Sequence, residues 1–196
     1  MTVTITCFHT CNNCGSKENI LDKAPFLSNP SKAEWLGTGY YFWTDSDYYA
    51  HEWGKISPRN GKYVIISANV NINYEDFLDL VGNVEHQLHF NELVTDYKNH
   101  LRYLISTARN VEEKTNLKTA LKNLSVSSVI QHYRKQRIFD YKVVKAQDMP
   151  KRTTKDLVYV QTGRGESLFY PTRQQLVVYQ EAKNCISNKK LYCLKP

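Results

Sequence analysis

The sequence predicts an α+β fold, with strands near both ends of the chain and a mainly helical middle. Three observations predict it. Residues 2–8, TVTITCF, alternate in polarity and are rich in β-branched side chains, which is the pattern of a half-buried strand. From Glu75 to Ala108 the apolar residues Phe77, Val81, Val84, Leu88, Val94, Tyr97, Leu101 and Leu104 recur mostly three or four apart, the period of a helix. Beyond residue 137 short β-rich runs return.

The elements follow in order. The first strand is expected to end just before His9. KENILDKAPFL (17–27) predicts a short helix and a loop, and SNPSKAEWLGTG (28–39) is a loop rich in breakers. YYFWT (40–44) is a short strand. SDYYAHEWGK (46–55) is a helix with Ser or Asp at its N-cap. GKYVIISANV (61–70) is a strong strand. Residues 75–137 are expected to be a helical insertion that includes VEEKTNLKTALKNL and SVSSVIQHYRKQR. From 138 to 196 the strands return as IFDYKVVKA, KDLVYVQT, QQLVVYQ and KKLYCL. No internal repeat or linker is visible, so residues 1–196 read as one domain.

Composition narrows the function classes. The 196 residues are 41% hydrophobic and 23% charged, as expected of a folded globular chain. The formal net charge of +7 favours polyanionic partners, nucleic acid or a nucleotide. No apolar run reaches the ~18–20 residues of a membrane span. MTVTITCFHTC has no basic n-region or long apolar stretch of a secretory signal, so no membrane association and a cytoplasmic location are expected. The five cysteines are expected as free thiols. Cys7, His9, Cys11 and Cys14 offer a possible zinc set. They lack the second well-spaced pair of a structural site, and no metal is expected.

Three stretches carry candidate chemistry: FHTC with His9 at a strand end, GTGYYF (37–42), and GRGESLFYPTRQQLVVY (163–179). Singly each is weak, because strand-end histidines are commonly structural and glycine turns are common. GTGYYF is also no dinucleotide fingerprint, since a strand follows it and a third glycine is missing.

Taken in order, these stretches resemble the ADP-ribosyltransferases of the branch that includes diphtheria toxin and the poly(ADP-ribose) polymerases. FHT resembles that family's histidine motif. GTGYYF resembles its Gly-x-Gly-hydrophobic-Tyr-Phe, DSDYYAHEW the helix that follows, and QQLVVY its Glu-Tyr-Val-Val-Tyr. The helical middle carries no part of the resemblance. It implies a split antiparallel β-sheet core with NAD as co-substrate. His9 would then fix a ribose hydroxyl and the Thr10 backbone the carboxamide. Tyr41 would stack on nicotinamide, flanked by Tyr40 and Tyr49, with the small Ala50 beside it. Gln175 would stand at the third position. Gln175 brings no negative charge, which implies single ADP-ribose transfer, with Glu166 or Glu181 as an alternative carboxylate. The loop before QQLVVY would read the acceptor through Arg164, Glu166, Phe169 and Arg173. The basic chain points to a nucleic-acid acceptor, with SVIQHYRKQR and PKRTTK as phosphate-contacting candidates, and a protein acceptor is the alternative. The resemblance extends to toxins of toxin–antitoxin and phage-defence systems, which implies a neutralising antitoxin protein. Two other readings stay open on the same fold: an inactive member that binds NAD or a partner, and transfer of an RNA 2′-phosphate to NAD.

Overall fold

The computed structural model describes residues 1–13, 15–29, 34–56, 61–148 and 172–195. Its strands are β1 (Thr2–Asn12), β2 (Tyr40–Thr44), β3 (Tyr63–Asn73), β4 (Phe77–Asp79), β5 (Val143–Asp148), β6 (Arg173–Val178) and β7 (Ile186–Lys195). The helices are α1 (Lys17–Lys23), α2 (Tyr48–Lys55), α3 (Val84–Thr107), α4 (Val111–Lys122) and α5 (Val126–Lys135). The strands form a seven-stranded sheet in the order β4-β5-β6-β2-β1-β3-β7. The α+β class therefore holds. The expected antiparallel sheet is mixed, because β4 runs parallel to β5 while the other pairs are antiparallel.

Two expectations need correction. β1 does not stop before His9 but pairs with β3 as far as Asn12↔Tyr63. Its continuation buries Thr10 on one side of the sheet and Cys11 on the other, so tertiary burial carries the strand through a locally polar sequence. The expected helix does not run through 75–83 either, where a 3-10 turn over Tyr74–Asp76 leads into β4. Phe77 is 5% exposed and packs on one side of the sheet, whereas Leu78 is 0% exposed and packs on the other. That alternation is a strand's, and it overrides the helical spacing into which Phe77 falls. Asp79 ends β4 by accepting the backbone N–H groups of Val81 and Gly82, each at 2.9 Å. The helix begins where Asn83 caps the His86 N–H at 3.1 Å. α4 and α5 lie where the spacing predicts, and a Ser125/Ser128 capping box opens α5. KDLVYVQT lies outside the described residues.

Residues opposite one another in register share a side of the sheet, and successive residues alternate. Phe8, Trp43, Gln175 and Ala146 thus form one row across β1, β2, β6 and β5. On this side α2 covers Trp43, Ile65 and Tyr63. α3 and α5 cover Leu78, Val144 and Val177. On the opposite side α1 packs over Cys11, Val64 and Ile66, and a second cluster joins Cys7, Phe42, Val70, Phe77 and Leu176. Side chains such as Ile130 and Leu176, both 0% exposed, each contribute about 1.5–3 kcal/mol by leaving water. β1 and β2 share only the registered pairs Cys7↔Thr44 and Phe8↔Trp43, so the sheet opens between them from His9 onward.

Candidate functional site

The candidate site lies on the side of the sheet covered by α2, α3 and α5, between these covers and over the row that contains Gln175. Tyr41 and Arg173 lie on the same side, two residues along β2 and β6 from that row. The loop before β2 borders the site, and the two glycines of GTGYYF have separate reasons to be there. Gly37 has φ +89°, which favours glycine. A Cβ on Gly39 would lie 2.5 Å from Val177 Cγ2 and 2.8 Å from the Val178 carbonyl oxygen. The close approach that Gly39 permits is thus to β6. Tyr41 then clamps this loop: its hydroxyl donates to the Gly37 carbonyl at 2.7 Å and accepts the Leu36 N–H at 3.0 Å. Burial holds the Tyr41 hydroxyl neutral far above its ordinary range, and the Glu34 carboxylate adds to this against the opposing Leu36 bond.

Gln175 sits half-buried on β6 and accepts the Trp35 indole N–H at 2.6 Å. One residue of the loop thereby fixes the orientation of the amide. Beyond Gln175, Arg173 forms a two-pronged ion pair with Asp148 of β5. The carboxylate holds the guanidinium pKa above its usual value. Tyr49 of α2 lies close to this pair and against Trp43, with ring centroids 5.8 Å apart. Desolvation first, then Tyr48, raises its hydroxyl pKa, with Arg173 pulling the other way.

His9 takes a different position from the one expected. It projects from the other side of β1 to Thr10 and is 7% exposed. The Phe26 N–H donates to Nε2 at 3.2 Å, so Nε2 carries a lone pair and Nδ1 carries the proton. Nδ1–H donates to the Tyr41 carbonyl at 2.9 Å. The ring therefore bridges β1 and β2 where their ladder lapses, and both of its nitrogens are bound to backbone rather than presented as a ribose contact. Thr10 faces the candidate site but is 7% exposed, and its hydroxyl donates to the Ala50 carbonyl at 2.8 Å. Ala50, on the buried face of α2, is 0% exposed among Trp43, Tyr63 and Ile65. Tyr40 is turned away from Tyr41 into the opposite core, 5% exposed, with Lys183 5.4 Å from its ring centre. It therefore lies on the other side of the sheet from Tyr41 and not beside it as expected.

Of the expected acceptor contacts, Arg173 is engaged with Asp148. Arg164, Glu166 and Phe169 lie outside the described residues, as does PKRTTK. Glu181, the other alternative carboxylate, pairs with Arg134 at 2.5 Å beyond the far end of β6. The possible zinc set falls apart, with Cys7 and Cys11 in different core clusters and Cys14 outside the described residues. Burial, with Cys185 nearby, also pushes the Cys7 thiol up, away from the thiolate a metal needs. No group of three metal-binding side chains occurs among the described residues. A groove of about 390 Å³ between β1 and β4–β5, lined by Val3, Thr6, Asp45, Phe77, Asp79 and Lys145, contains none of the expected site residues.

Sequence reasoning missed Glu34, Trp35 and Asp148. Trp35 had a signal, as a large ring in an otherwise breaker-rich loop directly before the Gly-x-Gly. Asp148 had none, because only the β5–β6 register sets it opposite Arg173. The site thus combines a fixed amide, a carboxylate on the bordering loop, a guanidinium–carboxylate pair and several aromatic rings. No helix among the described residues is long and apolar enough to cross a membrane. Compared with protein-family models, curated proteins and solved structures, the chain finds no match.

Proposed function

We propose that this chain is an NAD-dependent mono-ADP-ribosyltransferase that moves one ADP-ribose to a nucleic-acid acceptor and releases nicotinamide. One observation carries the reading. The three signature positions fall on adjacent strands β1, β2 and β6. His9 is bonded to the Tyr41 carbonyl, and Gln175 lies two residues from the partner of Tyr41 on β6. Residues far apart in sequence therefore come onto neighbouring strands where β1 and β2 part, with Tyr41 and Gln175 on one side of the sheet and His9 bracing it from the other. Tyr41 and Tyr49 provide ring faces for a flat nicotinamide, an interaction that contributes about 0.5–1.5 kcal/mol beyond burial. The Gln175 amide can orient a ribose hydroxyl, and fixed dipoles can stabilise the developing oxocarbenium charge. The net charge of +7, with Lys135 and Arg137 exposed at the end of α5, favours a polyanionic acceptor over a protein. Action as a toxin or defence effector, with a neutralising protein partner, belongs to this proposal.

A second reading has its own support. The described polar side chains of the signature, His9, Tyr41 and Gln175, all bond within the protein. That favours an inactive member which binds NAD or a partner. Labelled NAD incubated with the purified chain and a cell extract separates the readings. Label that survives protease but is lost to nuclease is the expected result. Label lost to protease assigns a protein acceptor, and NAD binding without transfer assigns the inactive member. No NAD binding removes both.

A further inference from the structure

The transferase reading leaves a gap at its third position, because Gln175 can neither take a proton nor bring negative charge. The loop before β2 carries the missing chemistry. Glu34 opens a turn in which the Gly37 N–H donates to the Glu34 carbonyl at 3.0 Å. One carboxylate oxygen, Oε2, accepts the Thr38 hydroxyl at 2.7 Å. The other, Oε1, is buried and has no hydrogen-bond partner among the described residues. A buried acceptor without a donor costs about 1–3 kcal/mol, more when charged, so each such atom calls for a reason. The surroundings suggest one. The neighbouring Trp35 holds Gln175, and the Glu34 charge is felt at the Tyr41 hydroxyl. Thr38 and the turn keep the carboxylate in place, and one oxygen remains without a donor among the described residues.

We propose that Glu34 supplies the carboxylate of this site and takes the proton of the nucleophile that attacks the ribose of NAD. The proposal rests on the transferase reading. In this step the bond between ribose C1′ and the nicotinamide nitrogen breaks, and its electron pair leaves with neutral nicotinamide. An acceptor hydroxyl, or water, forms the new C1′–O bond, and its proton passes to Glu34 Oε1. Gln175, held by Trp35, keeps the neutral task of orienting a ribose hydroxyl through its amide. Two functions that one acidic residue could serve are divided between β6 and the loop.

The test uses the full chain and NAD labelled in the nicotinamide. Nicotinamide release, the NAD dissociation constant and the pH profile are measured for wild type, Glu34→Gln, Glu34→Asp and Glu34→Gln/Gln175→Glu. Glu34→Gln is expected to lower release about 100-fold or more, the usual range for a lost general base. Its NAD affinity should stay within about threefold of wild type, because the lost interaction acts on the nucleophile. The acidic limb of the pH profile should vanish, and Gln175→Glu should restore part of the turnover. Glu34→Asp, which keeps the charge, should fall between wild type and Glu34→Gln. Glu34→Gln that keeps more than half the wild-type turnover, or keeps the acidic limb, overturns the role of Glu34 alone. Weakened NAD binding at unchanged turnover overturns it too. Wild-type protein that neither binds NAD nor releases nicotinamide overturns the transferase reading and this role together.

Discussion

The two sides of the central strands treat their polar side chains differently. On the His9 side, the imidazole is 7% exposed, packed near Phe26 and Phe42, and fixed through both nitrogens to backbone. On the Gln175 side, the polar groups are half-buried and held by other side chains, Gln175 by Trp35, Glu34 by Thr38 and Arg173 by Asp148. A buried donor satisfied by backbone serves the architecture, and its loss is felt as instability. A half-exposed side chain held by one neighbour costs little to lose structurally and can serve chemistry. The difference separates His9, which holds the sheet's split, from Gln175 and Glu34, to which the proposed chemistry is assigned.

The largest expected effect breaks the comparison if it is absent. His9→Ala leaves the Phe26 N–H and the Tyr41 carbonyl unpaired and is expected to cost about 3 kcal/mol, read from urea unfolding. A loss below about 0.5 kcal/mol, the size of an ordinary surface change, would mean that His9 is no wedge. Gly39→Ala comes next. The added methyl meets Val177 and Val178, and strain of about 1–3 kcal/mol is expected from the same measurement. Tyr41→Phe keeps the ring and removes the clamp on Leu36 and Gly37, so a loss of about 1–2 kcal/mol is expected with NAD affinity retained. Affinity lost with the hydroxyl would show that the hydroxyl, and not the ring face, meets the cofactor.

Gln175→Ala sharpens the comparison from the other side. Its stability cost should stay within about 1 kcal/mol, one hydrogen bond's net worth, while nicotinamide release falls well beyond what His9→Asn shows. The smallest effect concerns the helical cover. His132 stacks on Tyr97 with centroids 4.1 Å apart, and burial, then His100 and Lys135, lower its pKa below 6.5. The folded state then binds fewer protons than the unfolded chain, so its stability is full above about pH 6.5 and declines as the pH falls through that value. The urea midpoint should drop between pH 7.5 and 5.5, and His132→Gln should lessen the drop.

Much of this was legible in the sequence because it is local. β2 spans the expected YYFWT, and α4 and α5 lie where the apolar spacing predicts. β4 was illegible, since Phe77 falls into the helical spacing and only the neighbouring β5 makes this segment a strand. Within the site, Tyr41 and Gln175 could be singled out by motif, but the side of the sheet each would occupy could not. Tyr40 and Tyr41 are neighbours in sequence and end in different clusters.

The sequence by itself determined the α+β class, most helices and the order of three motifs. Periodicity, capping residues and β-branched runs act within a few residues of one another. Tertiary structure alone decided that His9 bridges two backbones, that Gly39 lies against β6, that Arg173 meets Asp148 and that one buried oxygen of Glu34 has no hydrogen-bond partner among the described residues. Each of these depends on strand register and on which side of a sheet a side chain leaves. A shift of one residue reverses both, and only the packed sheet sets them.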